Sequence, residues 1–144
     1  MSPRYSHLPG AIPKPDTGGC EATRLILDRV GDKWSLYIIA TLSGGTRRFN
    51  ELKREVDGIS QRMLTLTLRG LERDGLVSRT VFPTIPPRVD YELTELGSTL
   101  LKPVMGLLKW AHENQTVIEN ARQRFDEEPE QEQVLIKGVV YQRR

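Results

Sequence analysis

The chain has 144 residues, 38% of them apolar and 28% charged, which suits one compact domain with a core beneath a solvated surface. Lys and Arg number 21 against 19 acids, a formal net charge of +2, and a single cysteine with two histidines excludes disulfide scaffolds and Cys/His zinc modules. No apolar run approaches the ~20 residues of a membrane span, and MSPRYSHLPG lacks the apolar stretch of a secretory signal, so a cytoplasmic location is expected.

Residues 1–19 hold Pro3, Pro9, Pro13 and Pro15, with too little apolar side chain to offset ordering, and are expected to form a flexible N-terminal arm. A regular pattern then runs over residues 20–125. Ala22, Leu25, Ile26 and Arg29 recur at helical spacing, and Gly31 stops that helix. Asp32 is a good cap for a second helix, in which Trp34, Leu36, Tyr37, Ile38, Ile39 and Leu42 leave little polar face. A helix of that kind is central and buried, and Gly44-Gly45 ends it. Phe49 to Val56 predicts a short third helix with Phe49, Leu52 and Val56 inward, followed by turn chemistry at Asp57-Gly58. Ser60 caps a fourth helix that runs to Asp74 and stops at Gly75.

The period then changes from helical to alternating. Val77–Phe82 and Val89–Leu93 read as two strands around Pro83-Thr-Ile-Pro-Pro-Arg88, a stiff protruding loop with three prolines. Thr94 caps a long final helical region from Glu95, and Pro103 inside it predicts a kink or a restart. Residues 126–144 read as an acidic linker, Asp126 to Glu132, and an apolar end, Val134 to Tyr141, that either pairs as a strand or stays loose.

Three helices, a fourth entered through a short turn, a two-stranded hairpin and a long helix make a mainly α fold with a small β-hairpin. This is the layout of a winged helix-turn-helix, whose fourth helix enters the DNA major groove. At roughly 100° per residue, Leu64, Leu68 and Leu71 share one face of that helix, while Arg62, Thr65, Leu66, Arg69 and Arg73 share the other. An arginine fork pairs bidentately with guanine or grips a phosphate, and Thr65 or Leu66 can touch a thymine methyl. Ser60 and Gln61 would offer the positive helix end and its free N–H groups to a phosphate. Arg88 on the loop suits a minor groove or a neighbouring phosphate, and Arg47 and Arg48 before the third helix could meet the backbone. Lys53 and Arg54 lie beside Glu51 and Glu55 and read as surface solubility.

An outward arginine face is also what an ordinary solvated helix shows. The absence of any acid within the stripe favours double-stranded DNA as the partner. Residues 20–112 hold 14 cations and 11 anions while residues 113–144 hold five and seven, so the weak basic excess lies where the regular elements are. An enzyme is not expected. His7 lies in the expected arm and His112 on a helix surface, nothing recommends Cys20 with His112 as a catalytic dyad, no glycine-rich phosphate turn is present, and no cofactor or metal is expected. A winged helix used only for protein contact remains the competing class.

Gly31-Asp-Lys-Trp34, Arg47-Arg-Phe-Asn-Glu-Leu52 and Gly58-Ile-Ser-Gln-Arg-Met-Leu64 resemble the HxlR-type regulators, a branch of the MarR-like winged-helix proteins. So do Leu71-Glu-Arg-Asp-Gly-Leu-Val77, Pro86-Pro-Arg-Val-Asp-Tyr-Glu-Leu-Thr-Glu-Leu-Gly97 and Leu101-Lys-Pro-Val104. The six blocks follow in unbroken order, and the match spans roughly Cys20 to Ala111. The resemblance implies a bacterial transcription regulator, expected to repress, that binds an inverted-repeat operator as a homodimer with N- and C-terminal dimerisation helices. In the last helical region Leu96, Leu100, Val104, Leu107 and Ala111 form one stripe, and Leu101, Met105 and Leu108 a second. Two stripes need two partners, and the second is assigned to the twofold mate.

The resemblance also bears on Cys20, because some HxlR-type proteins sense oxidants or electrophiles such as quinones and aldehydes through a lone cysteine near the first helix. A helix start and Arg24 one turn along favour a thiolate, but Glu21 stands where the family commonly has proline, and its charge opposes one. Cys20 is thus either a redox sensor or a small buried residue. Control by a non-covalent small ligand is the other regulatory reading.

Overall fold

The computed structural model describes residues 20–128, 133–136 and 139–142. The expected N-terminal arm and residues 129–132 of the expected linker lie outside them. The chain forms two compact units, one ending at Val104 and the other starting at Met105.

In the first unit α1 (Cys20–Val30) precedes α2 (Lys33–Leu42), and Asp32 caps α2 through its carboxylate, which accepts from the Ser35 N–H at 3.3 Å. Ile38, Ile39 and Leu42 of α2 are buried as expected, although Tyr37 is half exposed. A two-residue strand, β1 (Arg47–Arg48), leads into α3 (Phe49–Glu55). Five residues then reach α4 (Gln61–Arg73), turning at Gly58, whose φ of +81° is left-handed backbone that glycine adopts without strain. Ile59 is buried in this turn.

α4 carries both end signals that its sequence predicts. The Ser60 Oγ accepts from the Met63 N–H at 3.1 Å. At the other end the Leu76 N–H reaches the Leu71 carbonyl at 2.9 Å and the Gly75 N–H reaches that of Glu72 at 3.0 Å, a Schellman closure with Gly75 at φ +75°. Leu64, Leu68 and Leu71 are buried between these ends and join Ile38, Ile39, Leu52, Val56 and Ile59 in one core.

β2 (Val77–Phe82) and β3 (Arg88–Leu93) pair antiparallel, with Arg79 opposite Tyr91 and Phe82 opposite Arg88. β1 adds to the free edge of β3, so the expected hairpin is a three-stranded sheet of order β1-β3-β2. Two residues are too few to show a period in the sequence. The expected long helical region is divided into α5 (Glu95–Thr99), capped by Thr94, and α6 (Leu101–Glu113). The restart falls at Leu100, which leaves Pro103 in the first turn of α6, where its missing N–H costs no helical bond.

The second unit continues α6 into α7 (Gln115–Glu127) across Asn114, so Asp126 and Glu127 are helical rather than linker. β4 (Gln133–Ile136) and β5 (Val139–Gln142) pair antiparallel, which settles the apolar end as a hairpin.

Candidate nucleic-acid interface

α3, the Gly58 turn and α4 form the helix-turn-helix, with α4 pinned by its leucines. Arg62, Thr65, Leu66, Arg69 and Arg73 all face solvent, as do Ser60 and Gln61 at the helix start. Among the described residues the side chains of Arg62, Arg69 and Arg73 make no hydrogen bond or ion pair. The Thr65 Oγ1 donates to the Gln61 carbonyl at 2.9 Å, so toward a ligand it presents a methyl and an acceptor rather than a proton.

The other predicted contacts are more engaged. Arg47 is half-buried, its Nε donating to Glu55 Oε2 at 2.9 Å and its guanidinium to the Thr46 carbonyl at 3.1 Å. Arg48 is exposed, opposite Asp90 in the sheet, and its backbone N–H donates to Glu51 Oε1 at 3.2 Å. Arg88 does not protrude. It opens β3, its guanidinium lies 4.2 Å from the Phe82 ring centroid, and its Nε stands 3.3 Å from Asp90 Oδ1 as an ion pair without hydrogen-bond angles. The strand period turns it back onto its cross-strand neighbour, so the loop tip is apolar instead, with Ile85 fully exposed.

Arg79 was not among the predicted contacts. It is exposed on β2 with no ion pair among the described residues, and with Arg69, Thr65 and Tyr91 it lines a groove between α4 and the sheet. The signal was an arginine at an inward position of the alternation Val77, Arg79, Val81.

The stripe assigned to a twofold mate lies within α6. Met105 is exposed, but Leu101 and Leu108 are half-buried, and Leu96, Leu107 and Trp110 are exposed apolar residues outside the stripe. The break at Leu100 resets the helical phase, so the other stripe, drawn through α5 and α6 as one helix, does not share a face: Val104 is buried while Leu96 and Leu107 are exposed. Cys20 opens α1, and its side chain lies outside the described part of the molecule.

A family model, HxlR-like helix-turn-helix, matches residues 29–119. The chain belongs to that family. The HTH-type transcriptional regulator YybR of Bacillus subtilis (strain 168) is 43% identical over 108 residues, 75% of this chain and 86% of the relative. The solved structure of a transcriptional regulator ytfH from Salmonella typhimurium is similar with a TM-score of 0.66 at 36% identity, over 70% of this chain and 90% of that one. The redox regulator HypR in its reduced form gives a TM-score of 0.63 at 42% identity, over 69% and 98%. This HxlR-like protein is therefore a transcriptional regulator with a winged helix-turn-helix of MarR-like kind. Among the described residues no helix is long and apolar enough to cross a membrane, and no group of His, Cys, Asp and Glu could hold a metal ion.

Proposed function

We propose that this HxlR-like regulator binds double-stranded DNA in a sequence-specific manner, as a cytoplasmic homodimer on an inverted-repeat operator, and acts there as a repressor. The observation that carries the reading is the outer face of α4, where arginines without acid partners project from a helix fixed at both ends and along its leucines. Arg62, on the first turn, is the base reader, since the N-terminal residues of such a helix reach base edges. The exposed apolar residues of α1, Leu25, Ile26 and Leu27, support a twofold mate.

A mobility shift at two salt concentrations tests this. DNA binding predicts steep weakening with salt, whereas a protein-contact module shows no DNA band at either concentration. Arg62→Ala should relax base preference, and wild-type affinity for every sequence would remove it from the interface.

The likeness to HypR, described as a redox regulator in oxidised and reduced forms, favours a second element: oxidation or electrophile modification of Cys20 changes operator affinity. Cys20→Ser should bind DNA and lose the oxidant response; an unchanged response would end the idea.

A further inference from the structure

We propose that Arg79 and Arg69 clamp one phosphodiester of the operator backbone in the groove between α4 and the sheet, so that Arg69 fixes position and does not read a base. This rests on the DNA-binding reading and adds a residue to it. The groove measures about 360 Å³ and presents Thr65 and Arg69 from α4, Arg79 from β2 and Tyr91 from β3. Phe49 and Leu68 form its apolar part.

Arg79 lies on the sheet face it shares with Val77 and Tyr91, both buried, yet no carboxylate answers it among the described residues. A guanidinium stays charged at any working pH, so beside a core its natural complement is an anion from outside. Tyr91 points the same way. The residue is largely buried and lines the groove, while its phenol oxygen, which makes no hydrogen bond among the described residues and is not among their buried unpaired atoms, is open to a ligand.

The donors present are thus two guanidinium forks and one phenol, a set that matches the oxygens of a phosphodiester. Thr65 cannot add a donor, because its hydroxyl proton is engaged by the Gln61 carbonyl. Glu72 is the anion lining the groove, unpaired and exposed, and it opposes the clamp without cancelling two cations. Arg69 lies more than two turns along α4 from Gln61, past the segment that reaches base edges.

The test uses the full chain. An operator is selected from a random duplex pool with the wild type, and affinities for it and for a scrambled duplex are measured across salt concentrations. Arg79→Ala should weaken both duplexes alike by roughly tenfold and flatten the salt slope by about one. Arg79→Lys should keep the slope, and Glu72→Gln should tighten both duplexes. Circular dichroism confirms that each variant is folded. A loss confined to the selected operator would assign base reading and overturn the clamp, as would wild-type affinity and slope in Arg79→Ala. In either case the wild type still binds, and the DNA-binding reading stands. If the wild type selects nothing from the pool, both fall.

Discussion

Gly70 sits inside α4, where glycine costs about 1 kcal/mol relative to alanine, and it is buried. The three atoms nearest to a Cβ built there all belong to the Arg29 guanidinium, which it would strike. Arg29 in turn donates from Nε to Asp74 Oδ2 at 2.8 Å, tying α1 to the cap of α4. Gly70→Ala alone gains the helical preference but pushes aside a flexible side chain and loses a half-exposed ion pair of about 0.2–1 kcal/mol. The net change is then between about zero and 0.8 kcal/mol of stabilisation. With Arg29→Ala already in place those three contacts are gone, and Gly70→Ala should stabilise by about 1 kcal/mol. A double-mutant cycle by urea unfolding at fixed protomer concentration should therefore give a coupling of about 0.2–1 kcal/mol. If Gly70→Ala stabilises equally in both backgrounds, Arg29 is not seated on Gly70 and the reasoning fails.

Three further outcomes are expected. Leu64→Ala, at a fully buried position of α4, should cost about 3 kcal/mol in denaturant midpoint analysis and lower binding to all DNA through lost fold. Ser60→Ala removes the acceptor for the Met63 N–H and should cost about 1 kcal/mol, whereas Ser60→Asp should keep most of it; equal losses would deny the cap. Arg88→Ala should change DNA affinity less than Arg79→Ala, read by filter binding, because the Arg88 guanidinium is held by Phe82 and Asp90; the reverse order would show that it swings out.

What the sequence revealed follows from the range of each signal. Caps and stops act over four or five residues, so Asp32, Ser60, Gly75 and Thr94 were readable one by one, and the leucine face of α4 follows from a single uninterrupted period. β1 has two residues and exists only because β3 lies beside it, which no local pattern records. The placement of Arg88 and Arg79 escaped local reading for the same reason: cross-strand register puts Arg88 on Phe82 and leaves Arg79 at an open groove. The stripe of Leu96, Leu100, Val104, Leu107 and Ala111 carried one helical phase across Leu100, where α5 ends and α6 begins, so it does not follow a single face.

α1 joins several of these threads. Leu25, Ile26 and Leu27 are consecutive, so they span about 200° of the helix and cannot all turn to one domain. All three are more than half exposed, and an 11-residue helix is marginal without tertiary packing. Its polar tie to the recognition helix is Arg29–Asp74, placed over the one position of α4 that lacks a side chain. Whatever covers the apolar face of α1 therefore holds α1, and with it Arg29, in the place where Asp74 is met at the end of α4. A twofold mate on this face would set the spacing of two α4 helices and steady each of them by the same contact. Cys20 opens this helix, so on the redox reading a modified thiol acts on the element whose packing the mate and α4 share.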